Sequence, residues 1–214
     1  MDEATSREKV LKSVRNALMS KLDNPYQDVD FDSSVYLTLD ESLEMVFARE
    51  LLEVSGKFVY CSDDIEFANM LKSVMEEKGW DSIHCIDEAL TSFFDQVGVP
   101  TVKTFSAGQE IKAGLTRCEY LVARLGSVMV SSAHPSGRRM NVFPDTHLIY
   151  ARASQLVPEI RDALKGMKKK YGKKLPSMIS LITGPSRTAD IEKTLVMGAH
   201  GPRELYVFLV DDKV

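Results

Sequence analysis

Cysteine is scarce in this chain of 214 residues: Cys61, Cys85 and Cys118 are the only three, and they lie 24 and 33 positions apart. Zinc and iron–sulfur sites draw their ligands from much closer spacings, so no cluster held by cysteines of this chain is expected. An odd number of isolated thiols suits a reducing compartment, and the charged start MDEATSREKVLKSV has no apolar core of a secretory signal. A cytoplasmic location is therefore expected. No run of 18 apolar residues occurs, which excludes a membrane-spanning helix. Glycine-rich signatures are missing too. No Gly-x-Gly-x-x-Gly follows a strand-like run, which argues against a dinucleotide site. Gly166 to Lys174 is one residue too long for a P-loop, lacks its Ser or Thr, and ends a helix instead of opening one. The four histidines, His84, His134, His147 and His200, are far apart and form no His-Glu-x-x-His. His84 and His147 fall on strand-like runs, where a structural role is expected.

What is present is an ordinary globular composition, with 44% hydrophobic and 27% charged residues. A chain of this length buries roughly 70% of its unfolded surface and needs no disulfide or metal for stability. The net charge of −4 hides an uneven distribution. Residues 23–66 hold twelve acids against two bases, and residues 138–174 hold ten bases against three acids. Lys165, Lys168, Lys169, Lys170, Lys173 and Lys174 read as a solvated helix end, because no aromatics interleave them as a nucleic-acid surface would require.

Residues 1–38 read as an N-terminal helical arm and acidic linker. Thr5 and Glu8 have capping-box spacing, Val10, Val14, Leu18 and Leu22 recur every four residues, and Asp23-Asn24-Pro25 stops the run. Residues 39–214 read as an α/β domain, an open mixed sheet flanked by helices. A helix carrying Leu43, Val46, Phe47 and Leu51 ends at Gly56 as its cap, and residues 57–61 form a strand. Ser62 caps a helix running to Lys78, and residues 82–86 form a strand before a short helix with Leu90, Phe93 and Phe94. Alternation of this kind implies parallel strands joined by right-handed crossovers. Residues 120–130 read as strand, turn and strand, and residues 147–151 as a strand. Ser154 is expected to cap a long helix through Met167, residues 178–183 to be a buried strand, residues 189–196 a short helix, and residues 205–210 the last strand.

The candidate site follows from that last stretch. Thr183-Gly184-Pro185-Ser186-Arg187-Thr188-Ala189-Asp190 leaves a strand and enters an expected helix start, the place where open α/β sheets bind ligands. Free amides there attract anions, and Arg187 offers a planar clamp for carboxylate or phosphate. Asp190 and Glu192 equally suit a plain, well-capped helix. Gly184-x-Ser186-x-Thr188 falls one glycine short of a nucleophile elbow, so a serine hydrolase is not supported. His200, between Ala199 and Gly201 in a turn, is the expected acid or base. His134, Arg138 and Arg139 form a third polar loop. If the three loops share one end of the sheet, they make an anion pocket.

These stretches carry a family resemblance. Residues 184–192, with Leu195-Val196-Met197-Gly198-Ala199-His200-Gly201-Pro202, resemble the C-terminal signature of the lactate utilisation protein C family, the LUD-domain proteins. Residues 114–119, residues 122–128 and the stretch from Arg138 through Pro144 and His147 are similar to its upstream blocks. Cys118-Glu119 stands where the family pattern has Ala-Asp, and Leu125 where it has Thr or Ser. The resemblance implies a fold like that of the sugar-phosphate isomerase, CoA-transferase and formyltetrahydrofolate cyclo-ligase group. It also implies a part in oxidising L-lactate to pyruvate beside partner subunits that carry the iron–sulfur clusters, this chain holding no cofactor itself. Gly184, Ser186, Arg187, Thr188, Asp190 and Gly201, with His134, Arg138 and Arg139, are the expected ligand-binding positions, and His200 the expected catalytic one. Two other readings stand beside this one: an independent enzyme for a phosphorylated, CoA-linked or folate substrate, and a non-catalytic regulatory or interaction protein. Whether the chain is an enzyme by itself is left open.

Overall fold

The computed structural model describes residues 5–19, 30, 38–105, 110–191, 194–197 and 200–212, with the backbone alone for 188–191 and 194–197. The chain divides between Thr38 and Leu39 into two compact units. In the first, α1 (Ser6–Met19) opens with a capping box. The Thr5 amide donates to Glu8 Oε2 at 2.8 Å, and the Glu8 amide returns to Thr5 Oγ1 at 3.4 Å. The acidic linker, apart from Asp30 and Thr38, lies outside the described residues.

The second unit begins with α2 (Leu43–Glu53), β1 (Lys57–Cys61), α3 (Asp64–Lys78), β2 (Ile83–His84), α4 (Glu88–Val97) and β3 (Thr101–Val102). Next come β4 (Ala113–Arg117), β5 (Tyr120–Val122), β6 (Ser127–Ser131), β7 (Thr146–Arg152) and β8 (Leu156–Val157). The chain closes through α5 (Ile160–Tyr171), β9 (Ile179–Ile182), β10 (Arg187–Ile191), β11 (Thr194–Met197) and β12 (Glu204–Val210).

Strands β1, β12, β7, β4, β2 and β3 lie side by side in that order as one six-stranded sheet, and every neighbouring pair is parallel. The strand next to its β1 edge shows why. In β12, Tyr206, Phe208 and Val210 enter one core while Leu205, Val207 and Leu209 enter another. A strand apolar on both faces has to be covered on both, the usual condition of a parallel sheet. On the first face lie Phe67 and Leu71 of α3 and Leu90 and Phe94 of α4. Phe67 sits with its ring centroid 4.9 Å from Tyr150 and 5.3 Å from Phe208.

The second face is covered by Val46, Phe47 and Leu51 of α2 together with a smaller sheet of four strands, ordered β8, β5, β6, β9. Here β5 runs antiparallel to β6 and parallel to β8, and β6 runs antiparallel to β9. Val122 and Met129 on the outer side of this sheet pack against Ala163 and Met167 of α5. The mixed strand directions expected from the sequence thus separate into two sheets, one wholly parallel and one mixed.

Several local expectations are corrected. Asp63, not Ser62, caps α3, its Oδ1 accepting the Glu66 amide at 2.7 Å. Ser55 takes the left-handed conformation after α2, with φ 64°. Gly56 answers a different demand, since a Cβ there would sit 2.3 Å from Leu51 Cδ1. Ser154 caps no helix and instead holds Asp212, Oγ to Oδ2 at 2.6 Å. Pro158 keeps Val157 extended, so β8 pairs with β5 before α5 starts at Ile160. Strand β9 is the edge of its sheet and only partly buried. The largest correction is at 189–196. Strands β10 and β11 pair antiparallel, with a register shift between Thr188 and Ile191, where a helix was expected. So short an apolar run does not separate helix from strand by periodicity, and helix propensity is a weak prior against pairing.

Candidate functional site

Because β10 is a strand, Thr183 to Arg187 enters no helix and presents no free helix amides to an anion. The loop is shaped by close approach. Gly184 has φ 73°, and a Cβ on it would lie 2.2 Å from the carbonyl oxygen of Val54. Both facts demand glycine. The Ser186 amide donates to the Pro202 carbonyl at 2.8 Å, joining this loop to the turn that carries His200 and Gly201. The Arg203 amide donates to the Asp145 carbonyl at 2.7 Å, joining that turn to the start of β7.

These ties enclose a pocket of about 340 Å³ between the two sheets. One wall is Thr183, Gly184, Ser186 and Arg187, leaving β9. His200, Gly201 and Pro202 form another, and Asn141 and Val142 a third. His147 and Leu205, at the beginnings of β7 and β12, line the bottom.

Of the residues expected from the sequence, Gly184, Ser186, Arg187, His200 and Gly201 therefore meet in one place. Arg187 is not idle there. Its Nη2 donates to the Val54 carbonyl at 2.8 Å and to Ser55 Oγ at 2.6 Å, so the guanidinium fastens the loop to the end of α2. The side chains of Thr188 and Asp190 lie outside the described residues. His134, Arg138 and Arg139 do not line the pocket. Arg138 Nη2 donates to Ser177 Oγ at 2.8 Å, and the Arg139 guanidinium lies 5.6 Å from the Phe105 ring centre.

The sequence points to a structural His147. It is fully buried, and its Nε2 lies 2.9 Å from Thr116 Oγ1, itself buried on β4. Its Nδ1 has no hydrogen-bond partner. Burial pushes the imidazole down to about 3, so it is neutral at physiological pH. The signal that exposes it is pairing, not spacing. β4 lies beside β7 in parallel, with Gly114 opposite His147, so Thr116 arrives on the same face two residues on.

His134 belongs to a different cluster. Glu119, between β4 and β5 with its carboxylate wholly buried, accepts from Ser131 Oγ at 2.6 Å, Tyr171 OH at 2.7 Å and Lys170 Nζ at 2.8 Å. His134 Nε2 is 3.3 Å from Oε1, off the hydrogen-bond axis. Burial alone would raise this carboxyl, but His134, Lys170, Ser131 and Tyr171 outweigh it and hold it well below the usual range. The cluster ties the smaller sheet to the end of α5. The remaining lysines of that helix end, Lys168 and Lys169, sit in its last turn as the dipole favours.

All three cysteines are free and buried, and burial pushes each thiol up to about 12. Among the described residues no three His, Cys, Asp or Glu side chains are grouped to hold a metal, and no helix is long and apolar enough to cross a membrane.

Residues 82–210 match the LUD domain family. The chain is 34% identical over 107 residues to the lactate utilization protein C of Halalkalibacterium halodurans, covering 49% of this chain and 46% of the relative. It is 32% identical over 112 residues to the uncharacterized protein YkgG of Escherichia coli strain K12, covering 51% of this chain and 48% of that one. A longer match, 27% identical over 182 residues, links it to the lactate utilization protein C of Geobacillus kaustophilus, with 82% and 72% covered. The chain spans about half the length of the first two of these relatives. In fold, it is similar to the crystal structure of a DUF162 family protein from Deinococcus radiodurans. The TM-score is 0.59 at 19% identity, covering 78% of this chain and 96% of that one.

Proposed function

The chain belongs to the LUD domain family, and on that premise we propose that it serves L-lactate utilisation as a subunit holding no redox cofactor of its own. In this reading the electrons of lactate pass to iron–sulfur clusters in partner subunits, and the chain contributes a site for a small carboxylate. The observation that carries the reading is the meeting of Gly184, Ser186, Arg187, His200 and Gly201 around one pocket of about 340 Å³, in a chain whose relatives are named for lactate utilisation.

The chemistry of each group suits that role. Arg187 uses Nη2 on Val54 and Ser55, which leaves Nε and Nη1 to face a carboxylate. The Ser186 hydroxyl adds a donor, and His200, exposed at the mouth, is the group placed to take or give a proton. Gly201 keeps the wall thin, since a Cβ there would come 3.1 Å from Ser186 Cβ.

Two experiments test the two halves. A tagged chain recovered from native lysate should bring down iron–sulfur proteins and give L-lactate-dependent dye reduction. A lone, inactive chain would end the assembly reading. For the pocket, thermal unfolding of the purified chain with L-lactate or pyruvate should show stabilisation that Arg187→Ala removes.

A further inference from the structure

The cations of α5 take no part in the pocket after β9, and the fold leaves most of them without partners. Seven bases stand between Ile160 and Leu175 against one acid, Asp162. Of the seven, Lys170 is engaged on Glu119. Arg161, Lys165, Lys168, Lys169, Lys173 and Lys174 are all exposed and make no ion pair among the described residues. The helix dipole accounts for Lys168 and Lys169 in the last turn. It does not account for Arg161, which sits in the first turn where the dipole disfavours a cation. The helical period shows what these residues share instead. Ala163 and Met167 face the smaller sheet, and Arg161, Lys165, Lys168 and Lys169 follow one another along the solvent side at i, i+4, i+7 and i+8. Like charges on one stripe repel one another, and a polyanion laid against them relieves that repulsion.

The apolar groups beside the cations select the kind of polyanion. Leu164, at the border of the stripe, is 43% exposed, and Leu175, next to Lys174 in the chain, is 46% exposed. Ile160, Arg161, Leu164, Lys165 and Lys168 line an open hollow of about 480 Å³ on this side of the helix. Exposed aliphatics among lysines suit the boundary of headgroups and acyl chains, where leucines enter the apolar edge and the long cationic side chains reach phosphates. A nucleic-acid surface would instead present aromatics to stack on bases. Helix α1, in the other unit, repeats the pattern. Its Val10, Val14 and Leu18 recur on one face, and Arg7, Lys9, Lys12 and Arg15 stand against Glu8 alone. The net charge of −4 does not oppose such a contact, because charges more than about 8 Å away are screened at physiological salt. We propose that the basic face of α5, with Leu164 at its border, docks this protein on an anionic bilayer surface without spanning it. The proposal is independent of the pocket after β9, with which the hollow shares no residue.

Flotation of the full chain with lipid vesicles tests it. Vesicles of phosphatidylcholine and phosphatidylglycerol in equal parts should carry the protein, and vesicles of phosphatidylcholine alone should leave it behind. Raised salt should release it. The triple variant Lys165→Gln, Lys168→Gln, Lys169→Gln should weaken partition about 100-fold. Its melting temperature should stay near that of the wild type, since the three side chains are exposed. Equal partition onto both vesicles, none onto either, binding unmoved by salt, or no loss in the triple variant overturns the proposal. Capture of polyglutamate or duplex DNA without partition onto the anionic vesicles overturns it as well and makes an acidic macromolecule the partner of this face.

Discussion

Glu119 and His147 are two buried titratable residues at opposite ends of adjoining strands, and their surroundings differ in one respect. Around Glu119 the protein has gathered Ser131, Lys170 and Tyr171, all within 2.8 Å of its carboxylate. Around His147 it has supplied Thr116 on one nitrogen and nothing on the other. The first group is charged and held by three donors, while the second is neutral and held by one partner. A buried charge with several donors fastens elements together, while a buried neutral ring is held in place chiefly by packing.

That contrast can be broken in four ways, in falling order of effect. Glu119→Ala should cost the most, roughly 4 kcal/mol, because it leaves a cavity where a wholly buried carboxylate held three donors, Ser131 among them buried. Urea unfolding followed by the fluorescence of Trp80, which packs at the edge of the first core, would measure it. A loss below about 1 kcal/mol would show that the cluster does little for stability.

Acidification comes next. His147 is held down to about 3 in the folded chain against about 6.5 when unfolded, so between those values the unfolded chain binds more protons and stability falls as pH falls. The loss should be on the order of 3 kcal/mol between pH 7 and pH 4, and His147→Phe should flatten that part of the profile. Glu119, whose carboxyl is depressed, contributes stability above the ordinary carboxylate range that is lost only below it. Its variant should therefore alter the profile at lower pH, and overlapping profiles for the two variants would contradict the separation drawn between them.

Gly184→Ala should cost about 2 kcal/mol, from a left-handed backbone and from the Val54 carbonyl 2.2 Å away, with pocket binding lost as the loop shifts. Arg187→Ala should cost only about 1 kcal/mol, since its bonds to Val54 and Ser55 are exposed. Its main effect should be on ligand-induced stabilisation, and a large loss of unliganded stability would make it a fastener like Glu119.

The legible parts of the fold were those set by local chemistry. Residues 57–61 and 205–210 read as strands because β-branched and aromatic residues run uninterrupted, and α3 and α4 because their apolar residues recur on one face above a capped start. Strand β4 was legible only as part of a family pattern. Ala113-Gly114-Leu115 offers little strand propensity, and its neighbours β2 and β7 make it a strand. The stretch 189–196 was misread because Ala, Glu, Lys and Leu favour a helix in isolation. At the site, the glycines, Ser186, Arg187 and His200 stood out because turn residues and cations carry their chemistry in their names.

The sequence by itself settled the α/β character, the order of most elements and the loop residues that wall the pocket, since each depends on neighbours a few positions away. Tertiary structure alone decided that the strands divide among three sheets. It gave Arg187 a second task on the end of α2 and drew His134 away to Glu119. It also set Thr116 against His147, two residues 31 positions apart in the chain and 2.9 Å apart in space. Strand pairing and burial act between distant residues, and no local pattern records which nitrogen they leave without a partner.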